Sequence, residues 1–168
     1  MKELLQQPEY VHALLVPALT HALPFAALGL IAALIARRRA AIVLALALVF
    51  VSAAAVWPAV HYGHLGYDRV EEMADQNGDA WLTIHRHRAD DNQWVFYTTA
   101  AVALAALLLP LKWPRSALPL ALLAVIAALG ASGIASYIAY AGGKIRHREF
   151  RTGPPPPAEL KEAQQDKD

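Results

Sequence analysis

Four long stretches of the chain lack Asp, Glu, Lys and Arg, and segments that contain charged residues separate them. The stretches cover residues 11–36, 40–60, 93–111 and 116–143. A helix needs about 20 apolar residues to cross roughly 30 Å of hydrocarbon. The stretches are rich in Ala and Leu, lack the alternation of barrel strands, and carry no polar face of the kind found on helices of soluble bundles. The pattern therefore predicts four membrane-spanning helices.

The connections between these stretches differ in charge. The first and second stretches are joined by Arg37–Arg39, and the third and fourth by a turn that contains Lys112 and Arg115. Four spans place both loops at one end of an up-and-down bundle, and all 14 acidic residues at the other. Because Lys and Arg in short loops favour the cytoplasmic side, we expect an integral protein of the bacterial inner membrane with both termini on the periplasmic side.

The non-membrane segments complete the predicted fold, an all-α integral membrane four-helix bundle. Residues 1–152 form the four-span domain, with a short amphipathic helix predicted at 68–76 and ended by Asn77-Gly78 in the outer loop. Residues 80–93 can extend the third span upward as a helix. The prolines and charges of residues 153–168 predict a flexible, disordered C-terminal tail.

Composition excludes several functions. The chain is 57% hydrophobic and 17% charged, against about 25% charged for an average soluble domain. It has no Cys, which excludes disulfides, iron–sulfur ligation, covalent c-type haem and Cys-based zinc sites. A net charge of +1 gives no field for nucleic acid. No nucleophile elbow, phosphate loop or paired-carboxylate motif occurs, so we do not expect a stand-alone enzyme.

All seven histidines map to the end of the bundle opposite the basic loops. Neutral imidazole ligates haem iron, copper and zinc, and ligands in helical bundles project inward from facing helices. At 1.5 Å per residue, His12, His61, His64 and His87 fall near one level at the membrane surface. His21 lies below them inside the first span, where an ionisable side chain indicates function by default.

These four histidines, His21, His61, His64 and His87, are the predicted ligands of a b-type haem, or alternatively of copper or zinc. His21 has a second interpretation, in which its neutral ring bonds a backbone carbonyl freed by Pro17 or Pro24. The other three of the four are otherwise polar residues at the interface. Since His85 and His87 face apart on a helix, at most one of them points into the bundle. His12, His85 and His147 are predicted to be solvated.

Short motifs resemble a family of uncharacterised bacterial four-span membrane proteins. They are Pro17–Pro24 in the first span, Gly66-Tyr67 with its following acidic residues, His87, and Gly142–His147 after the fourth span. Some members of that family are fused to, or encoded beside, Rieske iron–sulfur domains or cytochromes. The resemblance implies a redox-linked, haem- or metal-associated role in the membrane, with a partner of one of these kinds.

Three functions follow as hypotheses. The first is an electron-transfer subunit that binds haem or a metal through the histidine cluster. The second is an accessory subunit without a cofactor, whose outer loop and tail hold a partner complex. The third, proton-coupled transport through His21, has less support, because no broken-helix repeat or intramembrane acid is visible. Lipid is a partner in each case, and the sequence leaves the oligomeric state open.

Overall fold

Four long helical spans form the bundle in the computed structural model, which describes residues 4–165. They cover Pro8–Ile35, Arg39–Leu65, Gln76–Lys112 and Pro114–Arg146, and each is long and apolar enough to cross a membrane. The described residues contain no strand. The predicted all-α four-helix fold is confirmed, and the four spans are those of a membrane protein.

Breaks within the spans divide the chain into eight α-helices and several short turns. The helices are α1 (Pro8–Pro17), α2 (Leu23–Ile35), α3 (Arg39–Ala54), α4 (Val56–Leu65), α5 (Tyr67–Glu72), α6 (Gln76–Lys112), α7 (Ala117–Arg146) and α8 (Pro157–Gln165). A π-helical segment, Ala18–Ala22, joins α1 to α2. The break before α4 precedes Pro58, which has no N–H to donate to the preceding turn.

The order of packing places the first and third spans on a diagonal. Helix α2 packs against α3, α3 against α6, α6 against α7, and α7 back against α2. We call the end with the two basic loops the loop end and the opposite end the cap end. At the cap end, α1 packs chiefly against α4. Side chains from α1 and α6 can therefore meet only across the centre of the bundle.

Small side chains dominate the core nearer the loop end. Ala103, Ala124 and Ala128 have no exposed surface, and Leu30 and Val49 fill the space between them. Alanines at helix contacts let the backbones approach closely, which replaces the hydrophobic effect as the source of association in lipid. This half of the bundle is consequently held by close packing of apolar surfaces.

The helix of the third span starts at Gln76, so it includes the upward extension predicted for residues 80–93. Asp75 caps α6, and its carboxylate accepts a hydrogen bond of 2.7 Å from the Gly78 N–H. A Cβ on Gly78 would lie 2.6 Å from the carbonyl oxygen of Ile145, so glycine allows α7 to pack against this first turn. The prediction that Asn77-Gly78 ends a helix over 68–76 is wrong, because these residues instead begin the next helix.

The C-terminal tail also differs from its prediction as disordered. Residues 157–165 form α8, which packs against α6. Arg88 of α6 is only 6% exposed, and its Nε donates to Glu159 Oε2 at 3.0 Å. The buried guanidinium supplies a partner that the sequence pattern of the tail could not reveal. The end of the predicted tail, residues 166–168, lies outside the described residues.

Candidate functional site

A cavity of about 170 Å³ lies in the cap half, between α1, α4, α6 and α7. Apolar side chains make up most of its wall, including Val56, Phe96 and Ile138. A few polar side chains also reach it: Glu9, His12, Thr20, His64, Tyr67, His85, Arg86 and Asp90. An apolar pocket with a small number of polar groups is the usual form of a cofactor or ligand site.

Two histidines face each other at this cavity from diagonal helices. His12 comes from α1 and His85 from α6, and their ring centres are 6.2 Å apart with the ring planes at 85°. His12 Nδ1 lies 2.7 Å from the Ala59 carbonyl oxygen, and His85 Nδ1 lies 3.0 Å from that of Ile138. A carbonyl oxygen only accepts, so each Nδ1 carries a proton and donates. In a neutral imidazole that donates from Nδ1, Nε2 is the nitrogen that keeps a lone pair.

Each histidine ring also rests on a glycine of a neighbouring helix. A Cβ on Gly63 would lie 3.0 Å from His12 Nδ1, and a Cβ on Gly142 would lie 3.1 Å from His85 Cε1. Both glycines are helical, a position where glycine lowers stability relative to alanine. Their absence of a side chain provides the space that the two rings occupy.

The two imidazoles have the chemistry of metal ligands. In known metal sites the histidine commonly donates its second ring N–H to a backbone carbonyl or a carboxylate, which sets the tautomer and the ring orientation. Imidazole nitrogens bind metal ions at about 2 Å, and the ring centre lies about 1 Å behind the nitrogen, so two rings on opposite sides of one ion have centres about 6 Å apart. The observed spacing of His12 and His85 matches this value.

The four predicted ligands are not brought together. Within residues 4–165, no group of three or more His, Cys, Asp or Glu side chains is placed so that it could hold a metal ion. His21 is exposed in the π-helical segment, and its Nδ1 lies 2.8 Å from Thr20 Oγ1. The Thr20 hydroxyl donates to the Val16 carbonyl, so His21 bonds a hydroxyl and not a carbonyl freed by proline.

The other predicted ligands have separate surroundings. His61 is exposed and stacks on Trp57, with 5.8 Å between ring centres. His64 lines the cavity, and its Nε2 donates to Asp90 Oδ1 at 2.8 Å. His87 Nε2 lies 3.2 Å from Asp91 Oδ2, and the His87 side chain is 20% exposed. The expected grouping at one level therefore did not produce a common site, because the helix faces differ.

His12 and His85 were predicted to be solvated, and for these two the prediction is wrong. Their rings are partly buried between helices, whereas His147 is exposed as expected and pairs with Glu149 at 2.9 Å. Of the pair on α6, His85 and not His87 lines the cavity. The available signal was the set of helical glycines, Gly63 and Gly142, which have no other evident role in their spans.

Cationic side chains stabilise the packing of the cap end, above the cavity. Lys144 is 3% exposed, and its Nζ lies 4.3 Å from the Trp81 ring centre and 4.1 Å from that of Tyr140. Arg151 donates to both carboxylate oxygens of Asp75, at 2.7 and 2.9 Å. The Gly78 N–H and the Arg151 guanidinium hold the pKa of Asp75 below its ordinary value. These contacts attach the chain after the fourth span to the start of α6.

The resemblance to four-span bacterial proteins stays a prediction. Comparisons of this chain with protein families, with curated proteins and with solved structures find no match. Interpretation of the site therefore depends on the geometry of the cavity and its histidines.

Proposed function

We propose that this chain is a haem-binding subunit of a membrane redox system, in which His12 and His85 would hold the iron of a b-type haem. The observation that carries the proposal is the paired arrangement of these rings. They reach one apolar cavity from diagonal helices, each with Nδ1 on a backbone carbonyl. This ligand set replaces the set predicted from the sequence, His21, His61, His64 and His87.

The number of ligands favours haem over a bare metal ion. Protein sites for zinc use three or four side-chain ligands, and residues 4–165 offer no such group. A haem iron takes four nitrogens from its own macrocycle and needs only one or two from the protein. The cavity is partly open to its surroundings, so a planar group larger than the enclosed volume can extend from it.

A bound haem would supply one-electron chemistry, and the residues of this chain determine its setting. The Ala59 and Ile138 carbonyls hold the two imidazoles in the ligating tautomer. Phe96, Val56 and Ile138 exclude water and lower the local dielectric constant, which tunes the reduction potential. These roles are those of an electron-transfer subunit and not of a stand-alone enzyme.

The proposed setting is the bacterial inner membrane, with the loop end in the cytoplasm and the cap in the periplasm. The five basic residues of the two short loops support this orientation. The site then lies near the periplasmic surface, where a soluble or membrane-bound redox protein of the cytochrome or Rieske type can exchange electrons with it.

The proposal is tested by the absorption spectrum of detergent-purified protein from cells supplied with a haem precursor. We expect a Soret band, and sharp b-type bands after reduction with dithionite. His12→Ala and His85→Ala are each expected to remove the low-spin spectrum. His21→Ala and His61→Ala are the controls, because both histidines are exposed and His21 lies on the same span as His12, and they are expected to leave the spectrum unchanged.

Other outcomes would contradict the proposal. Colourless and folded protein from haem-supplied cells would favour the cofactor-free accessory subunit, for which the next experiment is co-purification of a partner with and without residues 153–168. Stoichiometric copper or zinc without haem would retain the histidine pair and change the chemistry. A spectrum lost in His61→Ala but kept in His12→Ala would restore the ligand set predicted from the sequence.

A further inference from the structure

We infer that Arg86 binds a carboxylate of the group that occupies the cavity, so that the carboxylate edge of the haem lies against α6 at the cap end. This inference rests on the proposed haem function. Arg86 lines the cavity and follows His85 directly in the chain. Its side chain is 42% exposed, so it lies where the cavity meets the surroundings.

Arg86 forms an ion pair with Asp90 but makes no close hydrogen bond to it. Its guanidinium carbon lies 4.9 Å from the centre of the Tyr67 ring, which supports it by a cation–π contact. Its Nε lies 3.7 Å from Asp90 Oδ2, beyond hydrogen-bond distance. Among the described residues, neither terminal nitrogen of Arg86 has a hydrogen-bond partner. The N–H groups of these two nitrogens are therefore available to donate to the two oxygens of a carboxylate.

The two carboxylates that line the cavity have closer partners than Arg86. Glu9 Oε1 lies 2.8 Å from Arg69 Nε, and Asp90 Oδ1 accepts from His64 at 2.8 Å. Their charges are thus partly satisfied before any ligand enters. An incoming carboxylate therefore finds one cationic donor with unused hydrogen-bonding positions, on the side of the cavity formed by α6.

The chemistry of haem explains why such a donor is needed. A b-type haem carries two propionate groups on one edge of an otherwise apolar macrocycle. Burying a carboxylate without a partner is costly, whereas pairing it with an arginine gives a charge-assisted and often bidentate hydrogen bond. His12 and His85 select for the iron, and Arg86 selects for the orientation of the macrocycle in the cavity.

The test is a titration of full-length apo-protein in detergent with haemin and with haemin dimethyl ester, whose propionates are neutral. Wild-type protein is expected to bind haemin about ten- to a hundred-fold more tightly than the ester, the range given by a hydrogen bond to a charged group. Arg86→Gln is expected to remove this preference while keeping the bis-imidazole spectrum. Arg86→Lys retains the charge without the paired N–H groups of the guanidinium and is expected to restore part of the preference.

Matched variants separate the possible results. Arg69→Gln removes a cation that pairs with Glu9 and does not itself line the cavity, so it should leave the preference intact. Equal binding of haemin and ester by wild-type protein, or equal weakening of both in Arg86→Gln, would overturn the role of Arg86 while leaving the histidine ligation in place. Absence of a bis-imidazole spectrum with either compound would overturn the proposed function and this inference together.

Discussion

The two halves of this bundle are stabilised in different ways. Near the loop end, most buried positions are apolar and small, as with Ala103, Ala124 and Ala128. Near the cap end, the buried residues include two cations, Arg88 and Lys144, and aromatic rings pack around them. The cavity lies where the two kinds of packing meet. The loop-end half acts as a rigid anchor, and the cap-end half supplies the polar groups.

This contrast shows how a chain with few polar residues can still build a site. In lipid, apolar contacts between helices give little preference for one arrangement over another, so close packing of alanines sets the helix positions. Hydrogen bonds and charge pairs at the cap then define which side chains face inward.

The largest effect is expected from a larger side chain in the loop-end core. Ala128 on α7 has no exposed surface, so Ala128→Leu forces neighbouring helices apart and should cost about 3 kcal/mol of unfolding free energy. Thermal unfolding in detergent measures this. Gly130→Leu is the control, because no atom lies within 4 Å of a Cβ at Gly130. Equal destabilisation by both variants would argue against tight alanine packing.

A smaller effect is expected from releasing the tail at the cap. Glu159→Ala removes the carboxylate that pairs with Arg88. Arg88 then keeps its hydrogen bond to the Tyr137 carbonyl, at 3.0 Å. Because Glu159 is partly exposed, we expect a loss of about 1–2 kcal/mol and faster protease cleavage of α8. Glu162→Ala changes an exposed residue of the same helix and should do neither. Unchanged cleavage in Glu159→Ala would show that α8 does not depend on Arg88.

Two adjacent glycines distinguish the site from its surroundings. Replacing a helical glycine by alanine ordinarily gains up to about 1 kcal/mol. Gly143→Ala should show this gain, since its Cβ would lie 3.5 Å from the Phe150 ring, an ordinary contact. Gly142→Ala should not, because its Cβ would lie 3.1 Å from the His85 ring. Chemical or thermal unfolding measures both, and equal gains would indicate that His85 moves freely.

The smallest effect is expected from acidification, which protonates the Asp75 carboxylate and weakens its bonds to the Gly78 N–H and Arg151. The Gly78 N–H and Arg151 lower the pKa of Asp75 from its ordinary value of 3.8. The stability that this carboxylate contributes is therefore present above that value and is lost as the pH falls through the lowered pKa. The hydrogen-exchange protection factors of the first turns of α6, which are corrected for the intrinsic exchange rate at each pH, should fall on acidification, and Asp75→Asn should reduce this pH dependence. A similar acid response in both proteins would assign it to other groups.

The sequence was sufficient to predict the four spans, because a charge-free run of this length has few alternatives. It was not sufficient to identify the histidines that face the cavity. His85 and His87 point to different sides of α6, and only the contact with Gly142 on α7 determines which of them is enclosed. The ordered tail was also missed, because its partner Arg88 lies 71 positions away in the chain.

The π-helical segment in the first span affects how α1 is rotated relative to α2 about the axis of that span. The Leu23 N–H donates to the Ala18 carbonyl, five residues back, so Ala18–Ala22 accommodates a residue that a regular α-helix would not. An uninterrupted α-helix through the same residues would rotate α1 by about 100° relative to α2. The π-helical segment Ala18–Ala22 thus sets the rotation of α1, which bears His12, relative to α2 about the axis of the first span.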